Sequence, residues 1–336
     1  MSHDSNISIA TSIAPFNISL QQEAIKTWIA LGFSVISVNN PKEIAEISPH
    51  FPGVRFVEAC RDARAVAGKP FIYFDDILAA LWESKSSLCG IVNSDIHLRT
   101  DIGVYQFVAR EAQDALLFGT RLDVTSMEDL TGEENTFGFD YFFFNRNLIS
   151  LYTPTDFCLG APWWDTWALL VPILSGVQVK QLVTPIAFHL YHITKWSELY
   201  EHYGGRLVSH LEDFCLAKGL PNDSYGRLSK LLCEPSGVFH ALQVIGFALG
   251  RAEKVYYGDK PAAQRRPYEL EQFLKMLSQL QAVLREQETQ RTVLSNQLNA
   301  VKHSLSWRVT RPLRWLKIVL RKITELIDAK LDGRKS

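Results

Sequence analysis

The sequence predicts an α/β fold built on a mainly parallel sheet, followed by a helical region and a C-terminal coiled coil. In the first half of the chain, short apolar runs alternate with segments of helical periodicity. That is the pattern of strands joined by crossover helices. The runs are apolar on both faces, as a sheet covered by helices on both sides requires. Several of them stop on polar residues rather than on Gly or Pro, and ligands bind at the carboxyl ends of strands in open α/β sheets.

Residues 7–13, ISIATSI, are a β-branched first strand. SLQQEAIKTWIALG (19–32) places Ile25, Trp28 and Ile29 at helical spacing and stops at Gly32. FSVISVNN (33–40) is a second strand, EIAEISPHF (43–51) a short helix and VRFVEA (54–59) a third strand. DDILAALWESKS (75–86) is a helix capped by one of its two aspartates, and LCGIVNSDI (88–96) a strand. A helix around 102–112 and the strand ALLFGTRLDV (115–124) follow. GFDYFFFNRNLISLY (138–152) is an aromatic strand, PWWDTWALLVPIL (162–174) a turn into a buried helix, and VKQLVTPIAFHLYH (178–192) a strand or two. Residues 197–257 are mostly helical, with a loop at 220–224.

Of 336 residues, 47% are hydrophobic, enough for a large core and more than one structural unit. Basic and acidic residues nearly balance, at 35 and 36, which argues against a nucleic-acid partner. Cys60, Cys89, Cys158, Cys215 and Cys233 form no CxxC pair, the usage of reduced thiols in a cytosol. The opening MSHDSNISIATS has neither a basic n-region nor an apolar h-region, so no signal peptide is expected. No apolar run approaches the roughly 18 residues of a membrane span.

GDKPAAQRRP (258–267) is a linker by composition. Beyond it Leu270, Phe273, Leu277, Leu280, Leu284, Leu294, Leu298, Val301 and Leu305 recur every three or four positions, interrupted by Gln287 and Arg291. These make roughly five heptads of a coiled coil, or else a long helix folded onto the body. Residues 306–331 set Trp307, Trp315, Leu316, Val319, Leu320 and Ile323 against Arg308, Arg311, Arg314, Lys317, Arg321 and Lys322. A basic amphipathic helix of this kind lies in the headgroup region of an anionic membrane, or packs on a partner.

Asp95 closes the strand that begins at Leu88, and Asn93 stands two positions before it. It is either an Asx-turn residue or one of the hard oxygen ligands that a divalent cation holding a diphosphate needs. On a regular strand Asn93 and Asp95 point the same way, so NSD is a variant of an Asp-x-Asp pair with one charge fewer. His189 and His192 share one side only if they lie in a helical turn, and each is either a bonded core histidine or a metal ligand. Asp165 sits among Trp163, Trp164 and Trp167, and is either a helix N-cap or a general base whose carboxyl the aromatic walls raise. Asp140, Arg121 and Asp123 are charges at the ends of apolar strands that either pair with one another or bind polar ligand groups.

Taken in order, IVNSDIHL, LLFGTRLDV, GFDYFFFNR, LGAPWWDTWALL and FHLYHITKW resemble the nucleotide-sugar glycosyltransferases of GT-A fold, over about residues 7–205. The resemblance implies a Rossmann-like, mainly parallel sheet with flanking helices and sugar transfer from a nucleotide-diphosphate donor. By similarity Asp95 is the metal-binding end of the Asp-x-Asp-like motif, with Asn93 in place of the first acid and His192 completing a site for Mn2+ or Mg2+. Asp140 touches donor-sugar hydroxyls, Arg121 joins the donor-binding set, and Thr11, Ser12 and Asn39 lie near the nucleobase. Asp165 stands where inverting members place the base.

SLSWRVTRPLRWL (304–316) is similar to tails of bacterial enzymes that assemble surface polysaccharides such as the lipopolysaccharide O-antigen. It implies a lipid-linked glycan acceptor and a cytoplasmic protein held peripherally on the inner face of the plasma membrane. The expected organisation is a transferase domain over 1–205, a helical extension over 206–257, the linker 258–267, a coiled coil over 268–305 that makes a homo-oligomer, and the basic tail 306–336. Two other readings compete. One is a catalytically inactive GT-A-like scaffold of an assembly complex, because Asn93 replaces an acid; the other is a nucleotidyltransferase, against which ATSIAPFN, without glycine, argues.

Overall fold

The computed structural model describes residues 6–59, 61–135, 138–191, 197–219 and 250–258, with single positions at 246, 293 and 296. Apart from Gly258 and those single positions, the expected linker, coiled coil and basic tail, the loop at 220–224 and His192 lie outside the described residues. In chain order the strands and helices are β1 (Ile7–Thr11), α1 (Ile18–Ala30), β2 (Ser34–Asn39), α2 (Pro41–Ile47), β3 (Val54–Glu58), α3 (Arg64–Ala67), α4 (Phe74–Glu83), β4 (Leu88–Val92), β5 (His97–Leu98) and α5 (Gly103–Glu111). They continue with β6 (Ala115–Gly119), β7 (Leu122–Val124), β8 (Gly132–Glu134), β9 (Tyr141–Asn145), α6 (Trp164–Leu174), β10 (Gln178–Leu182), β11 (Ala187–Leu190), α7 (Ser197–Ala217) and β12 (Glu253–Val255). All fall in the first of two compact units, Met1–Ala262 and Ala263–Ser336.

Eight strands form the main sheet in the order β12-β10-β6-β9-β4-β1-β2-β3. Every neighbouring pair is parallel except the two made by β9, which runs antiparallel between β4 and β6. The expected α/β class with a mainly parallel sheet is therefore the observed one. Side chains alternate across the sheet with the period of two that strands impose. Leu116, Phe118, Phe142 and Phe144 face the layer that holds α4 and α6, while Leu117, Tyr141 and Phe143 face the layer of α1 and α5. Each buried aromatic or aliphatic side chain contributes about 1.5–3 kcal/mol, so both faces of the sheet stabilise it.

Gly90 is what lets β9 close on β4. A Cβ there would lie 2.7 Å from the Phe143 ring and 3.1 Å from Ile9.

A second sheet of order β5-β11-β7-β8 stands beside the first. It corrects the reading of 115–124 as one strand. The run breaks after Gly119, where the Tyr141 hydroxyl occupies the space a Cβ would need, and Leu122–Val124 joins the small sheet. The run 178–192 likewise divides into β10 and β11. Within the stretch read as helical, Glu253–Val255 is instead an edge strand parallel to β10. The helix at 74–83 is not capped by its aspartates. Tyr73 holds the cap position without a side-chain bond, and Asp75 accepts the Thr155 N–H at 2.9 Å.

Candidate active site

The parallel strands β1, β4 and β6 end at one edge of the main sheet, and antiparallel β9 begins there. Tyr141 pairs with Val92 on one side and with Gly119 on the other. The residues just beyond these pairs, Asn93, Thr120, Arg121 and Asp140, are therefore brought together from three strands. Asn93 donates its backbone N–H to the Asp140 carbonyl at 3.1 Å. β4 ends at Val92, so strand alternation does not orient Asn93 and Asp95. The Ile96 N–H closes a turn onto the Asn93 carbonyl at 3.1 Å. Trp28 donates to the Ile96 carbonyl at 2.7 Å, and Ser94 donates to Gln21 at 2.8 Å. The turn is thus clamped from α1, and Asp95 stands at its partly exposed side, with 32% of its side chain accessible.

A chain of ion pairs runs through this edge. The Arg121 Nη1 donates to Asp140 Oδ1 at 2.6 Å, and its Nε to Asp123 Oδ1 at 2.9 Å. Asn93 Nδ2 donates to the same Asp140 oxygen at 3.0 Å. His189 Nδ1 lies 2.7 Å from Asp123 Oδ1, and its Nε2 lies 3.4 Å from Asp95 Oδ2. Asn135 donates to Asp123 Oδ2 at 3.2 Å. Of the two options for Asp140, Arg121 and Asp123, pairing with one another is the arrangement present.

Burial and charge set the ionisation here. Asp140 is 4% exposed, and burial raises its carboxyl above the usual range against the pull of Arg121 and Asn93. Burial works the same way on Asp123, but the His189 hydrogen bond and Arg121 outweigh it and hold that carboxyl below its usual value. Burial opposes a charge on His189; the Asp123 and Asp95 carboxylates overcome it and move the imidazole to about 9. The Nδ1–H donates to Asp123, which directs Nε2 at Asp95.

Asp165 lies at the far end of this chain. It is not the N-cap. That position belongs to Trp163, whose backbone is left-handed at φ 79°, a region bulky residues seldom use. Asp165 Oδ2 accepts the Phe139 N–H at 2.9 Å, and Oδ1 accepts the Thr166 N–H at 2.8 Å. Phe139 directly precedes Asp140, so this bond ties Asp165 to the ion-pair chain. Burial pushes the Asp165 carboxyl up to about 6 against those two N–H donors, and the Asp140 charge adds to the rise. A carboxylate with that value is ionised at neutral pH and still basic enough to take a proton.

Thr11, Ser12 and Asn39 form a separate corner at the carboxyl ends of β1 and β2. Asn39 is fully buried and its amide is already used. Nδ2 donates to the Ile13 carbonyl at 2.8 Å and to Glu43 at 3.1 Å, with Ser12 at 3.4 Å, while Oδ1 accepts from Ser37 at 2.6 Å. Thr11 is fully buried and its Oγ1 makes no hydrogen bond. Gln21 joins the two corners, accepting from the Ala14 N–H at 2.8 Å and from Ser94.

The structure thus brings Asn93, Asp95, Arg121, Asp140 and Asp165 together. It adds Gln21, which the sequence reading did not consider, and brings in His189 and Asp123, which that reading left open between a core and a site role. For His189 the helical-turn option fails because it lies in β11, where parallel pairing with β7 sets it directly beside Asp123. The two are 66 positions apart, and a lone His in an apolar strand carries no sequence signal of that register.

Asp95 and His189 supply an oxygen and a nitrogen that converge, and Asp123 accepts the Nδ1–H and orients the imidazole, as a neighbouring carboxylate commonly does for a metal-binding histidine. Among the described residues no group of three or more His, Cys, Asp or Glu is arranged to hold a metal ion. Mg2+ and Mn2+ accept few protein ligands when phosphates and waters complete the shell, so this pair fits such an ion once His189 gives up its Nε2 proton. Among the described residues no helix is long and apolar enough to cross a membrane.

No protein-family model matches this sequence, and no curated protein matches it. Solved structures do resemble the chain. S. aureus TarS is 12% identical, with a TM-score of 0.41 over 73% of this chain and 71% of its own. The 4-diphosphocytidyl-2C-methyl-D-erythritol synthase of Anaerococcus prevotii is 11% identical, with a TM-score of 0.35 over 58% and 95%. A mannosyltransferase of Pyrobaculum calidifontis, solved with GDP-Man and Mn2+, is 16% identical, with a TM-score of 0.39 over 88% of this chain and 86% of its own.

Proposed function

We propose that this protein is a glycosyltransferase that moves a sugar from a nucleotide-diphosphate donor to a hydroxyl of a lipid-linked glycan, in the assembly of a bacterial surface polysaccharide. One observation carries the reading. A two-residue donor pair, Asp95 and His189, ends one chain of ion pairs, and Asp165, whose carboxyl burial raises, is tied to that chain's Asp140 end through the Phe139 N–H. That chain lies at the carboxyl edge of a mainly parallel sheet, where such folds bind ligands. Asp95 and His189 would hold Mn2+ or Mg2+, with His192 a further ligand expected from the sequence. The ion, when bound, offsets the charge of a departing diphosphate.

Asp165 takes the proton of the acceptor hydroxyl as its oxygen attacks the anomeric carbon and the bond to the diphosphate breaks. A base on the face opposite the leaving group inverts the configuration. Arg121 and Asn93 hold Asp140 in place beside the sugar. Asn39 and Gln21 shape the loop after β1, at whose start Thr11 and Ser12 are expected near the nucleobase. The basic tail draws the protein to the inner membrane face, and the coiled coil makes it a homo-oligomer.

Titration calorimetry and donor hydrolysis with Mn2+ and a panel of nucleotide sugars test this. Binding of at least one donor and of its free nucleotide diphosphate is expected; no binding of any donor or of UDP, GDP or CMP overturns it. For the tail, liposomes containing anionic lipid should float the full chain but not a chain lacking residues 306–336. Equal flotation of both removes the membrane role. The scaffold alternative draws on the commitment of the Asn93 amide to Asp140. Turnover that Asp165→Asn abolishes rules it out.

A further inference from the structure

Three helices of one layer begin at the carboxyl edge of the main sheet. α1 follows β1, α2 follows β2, and α5 leads back towards the start of β6. All three pack on the same face of the sheet, through Ile25, Ile47 and Phe107. Phe16 stands just before α1 and Ile102 just before α5, and they are 67% and 62% exposed. Both are held there. Gln21 is buried, accepts the Ala14 N–H at 2.8 Å, and donates to the Ala14 and Phe16 carbonyls at 2.9 and 2.6 Å, which fixes the turn that carries Phe16. Asp101 accepts the Gly103 N–H at 2.8 Å and the Tyr257 hydroxyl, which fixes the turn that carries Ile102. Two large apolar side chains fixed in water on one edge are a contact surface for something apolar.

The chain leaves the sheet at the same place. β12 is parallel to β10, and β10 to β6, so Tyr257 lies beyond their carboxyl ends. Its N–H donates to the Thr184 hydroxyl at 2.9 Å, that hydroxyl donates to the Tyr257 carbonyl at 3.0 Å, and its ring packs on Phe107 of α5 with centroids 5.2 Å apart. In sequence there follow the linker and, over 306–331, the basic segment with its tryptophans. Lys42, in the first turn of α2, and Arg99, three residues before Ile102, are exposed, and the helices turn the positive ends of their dipoles to this edge.

Resting on the membrane role given to the tail above, we propose that the carboxyl edge is the face that lies on an anionic lipid surface, with Phe16 and Ile102 reaching into the headgroup region. The basic tail supplies the long-range attraction, and each apolar side chain strengthens binding by about three- to tenfold. The candidate active site lies at the same edge, so a lipid-linked hydroxyl reaches it at the membrane surface.

Fluorophores at the two ends of α5 test the orientation. One is attached at Ile102→Cys and the other at Asp114→Cys, an exposed position beyond the opposite end of the helix. Both are made in the full chain carrying Cys60→Ser and Cys233→Ser, because Cys89, Cys158 and Cys215 are buried. On vesicles of equimolar phosphatidylcholine and phosphatidylglycerol with nitroxide-labelled headgroups, the label at 102 should be quenched at least twice as strongly as that at 114. In vesicle partitioning, Phe16→Ser and Ile102→Ser should each bind about three- to tenfold more weakly than wild type while unfolding at the same temperature. Flotation of the full chain with equal quenching at both positions, stronger quenching at 114, or partitioning unchanged in both variants overturns the proposal and leaves the tail's membrane role standing. No binding of the full chain to these vesicles overturns both, and calorimetry with UDP and GDP reports on the donor reading independently.

Discussion

Replacing Arg121 with Met keeps most of the aliphatic volume and removes the charge that Asp140 depends on. The Asp140 side chain is 5% exposed and that of Arg121 18%, and the two meet at 2.6 Å. Removing one partner of a buried pair costs about 3–5 kcal/mol. Because Asn93 still donates to Asp140 and the guanidinium is partly hydrated, the low end applies, about 3 kcal/mol at pH 7.5. The sign of the pH dependence follows from burial. The folded-state pKa of Asp140 already lies above its unfolded value. Without Arg121 it rises further, so the folded variant binds a proton more readily than the unfolded chain and loses stability as pH rises.

Equilibrium urea unfolding of wild type and Arg121→Met, followed by tryptophan fluorescence, should give a deficit near 3 kcal/mol at pH 7.5 that shrinks towards pH 5. Adding Asp140→Asn should recover part of it, because no buried charge is then stranded. A deficit under 1 kcal/mol at pH 7.5, or one that grows towards pH 5, would refute the view that this pair is a buried, mutually dependent charge.

Three further outcomes are expected. Asp165→Asn should lower turnover by about 10²–10⁴-fold while leaving donor binding within a few fold, and the wild-type rate should fall as pH drops through about 6, where the base takes a proton; a limb near 4 would place the base elsewhere. Asp95→Ala should abolish metal-dependent donor binding yet cost less than about 1 kcal/mol, because Asp95 is partly exposed and its contact with His189 is long, at 3.4 Å; a large drop in Tm would make it a structural turn residue. Gly90→Ala should destabilise by about 2 kcal/mol through the clash of its Cβ with Phe143, and unchanged thermal unfolding would show that β9 does not need that close approach.

Much of the architecture was legible because strand burial and helix periodicity are local. ISIAT, SVISVN and LCGIV announce strands buried on both faces, and Trp28 announces the inner face of α1. What misled was continuity of apolar character. ALLFGTRLDV reads as one strand, yet Gly119 sits where Tyr141 from a distant strand takes the space, and the chain passes into a second sheet. Asp165 was legible as a carboxylate out of place among tryptophans. That it bonds to Phe139 rather than caps its own helix depends on a neighbour in another element.

The sequence by itself determined the α/β class and the chemically capable residues Asp95, Asp140, Arg121 and Asp165, because hydropathy period and an ionisable group at the end of an apolar run are properties of short segments. Only the tertiary structure decided that Asp140, Arg121, Asp123, His189 and Asp95 form one chain of charges, that His189 faces Asp95, and that Asn93 serves Asp140. Those relations depend on which strands pair and in what register, and antiparallel β9 between β4 and β6 brings Asn93 and Asp140, 47 positions apart, into contact through a pairing that no local pattern encodes.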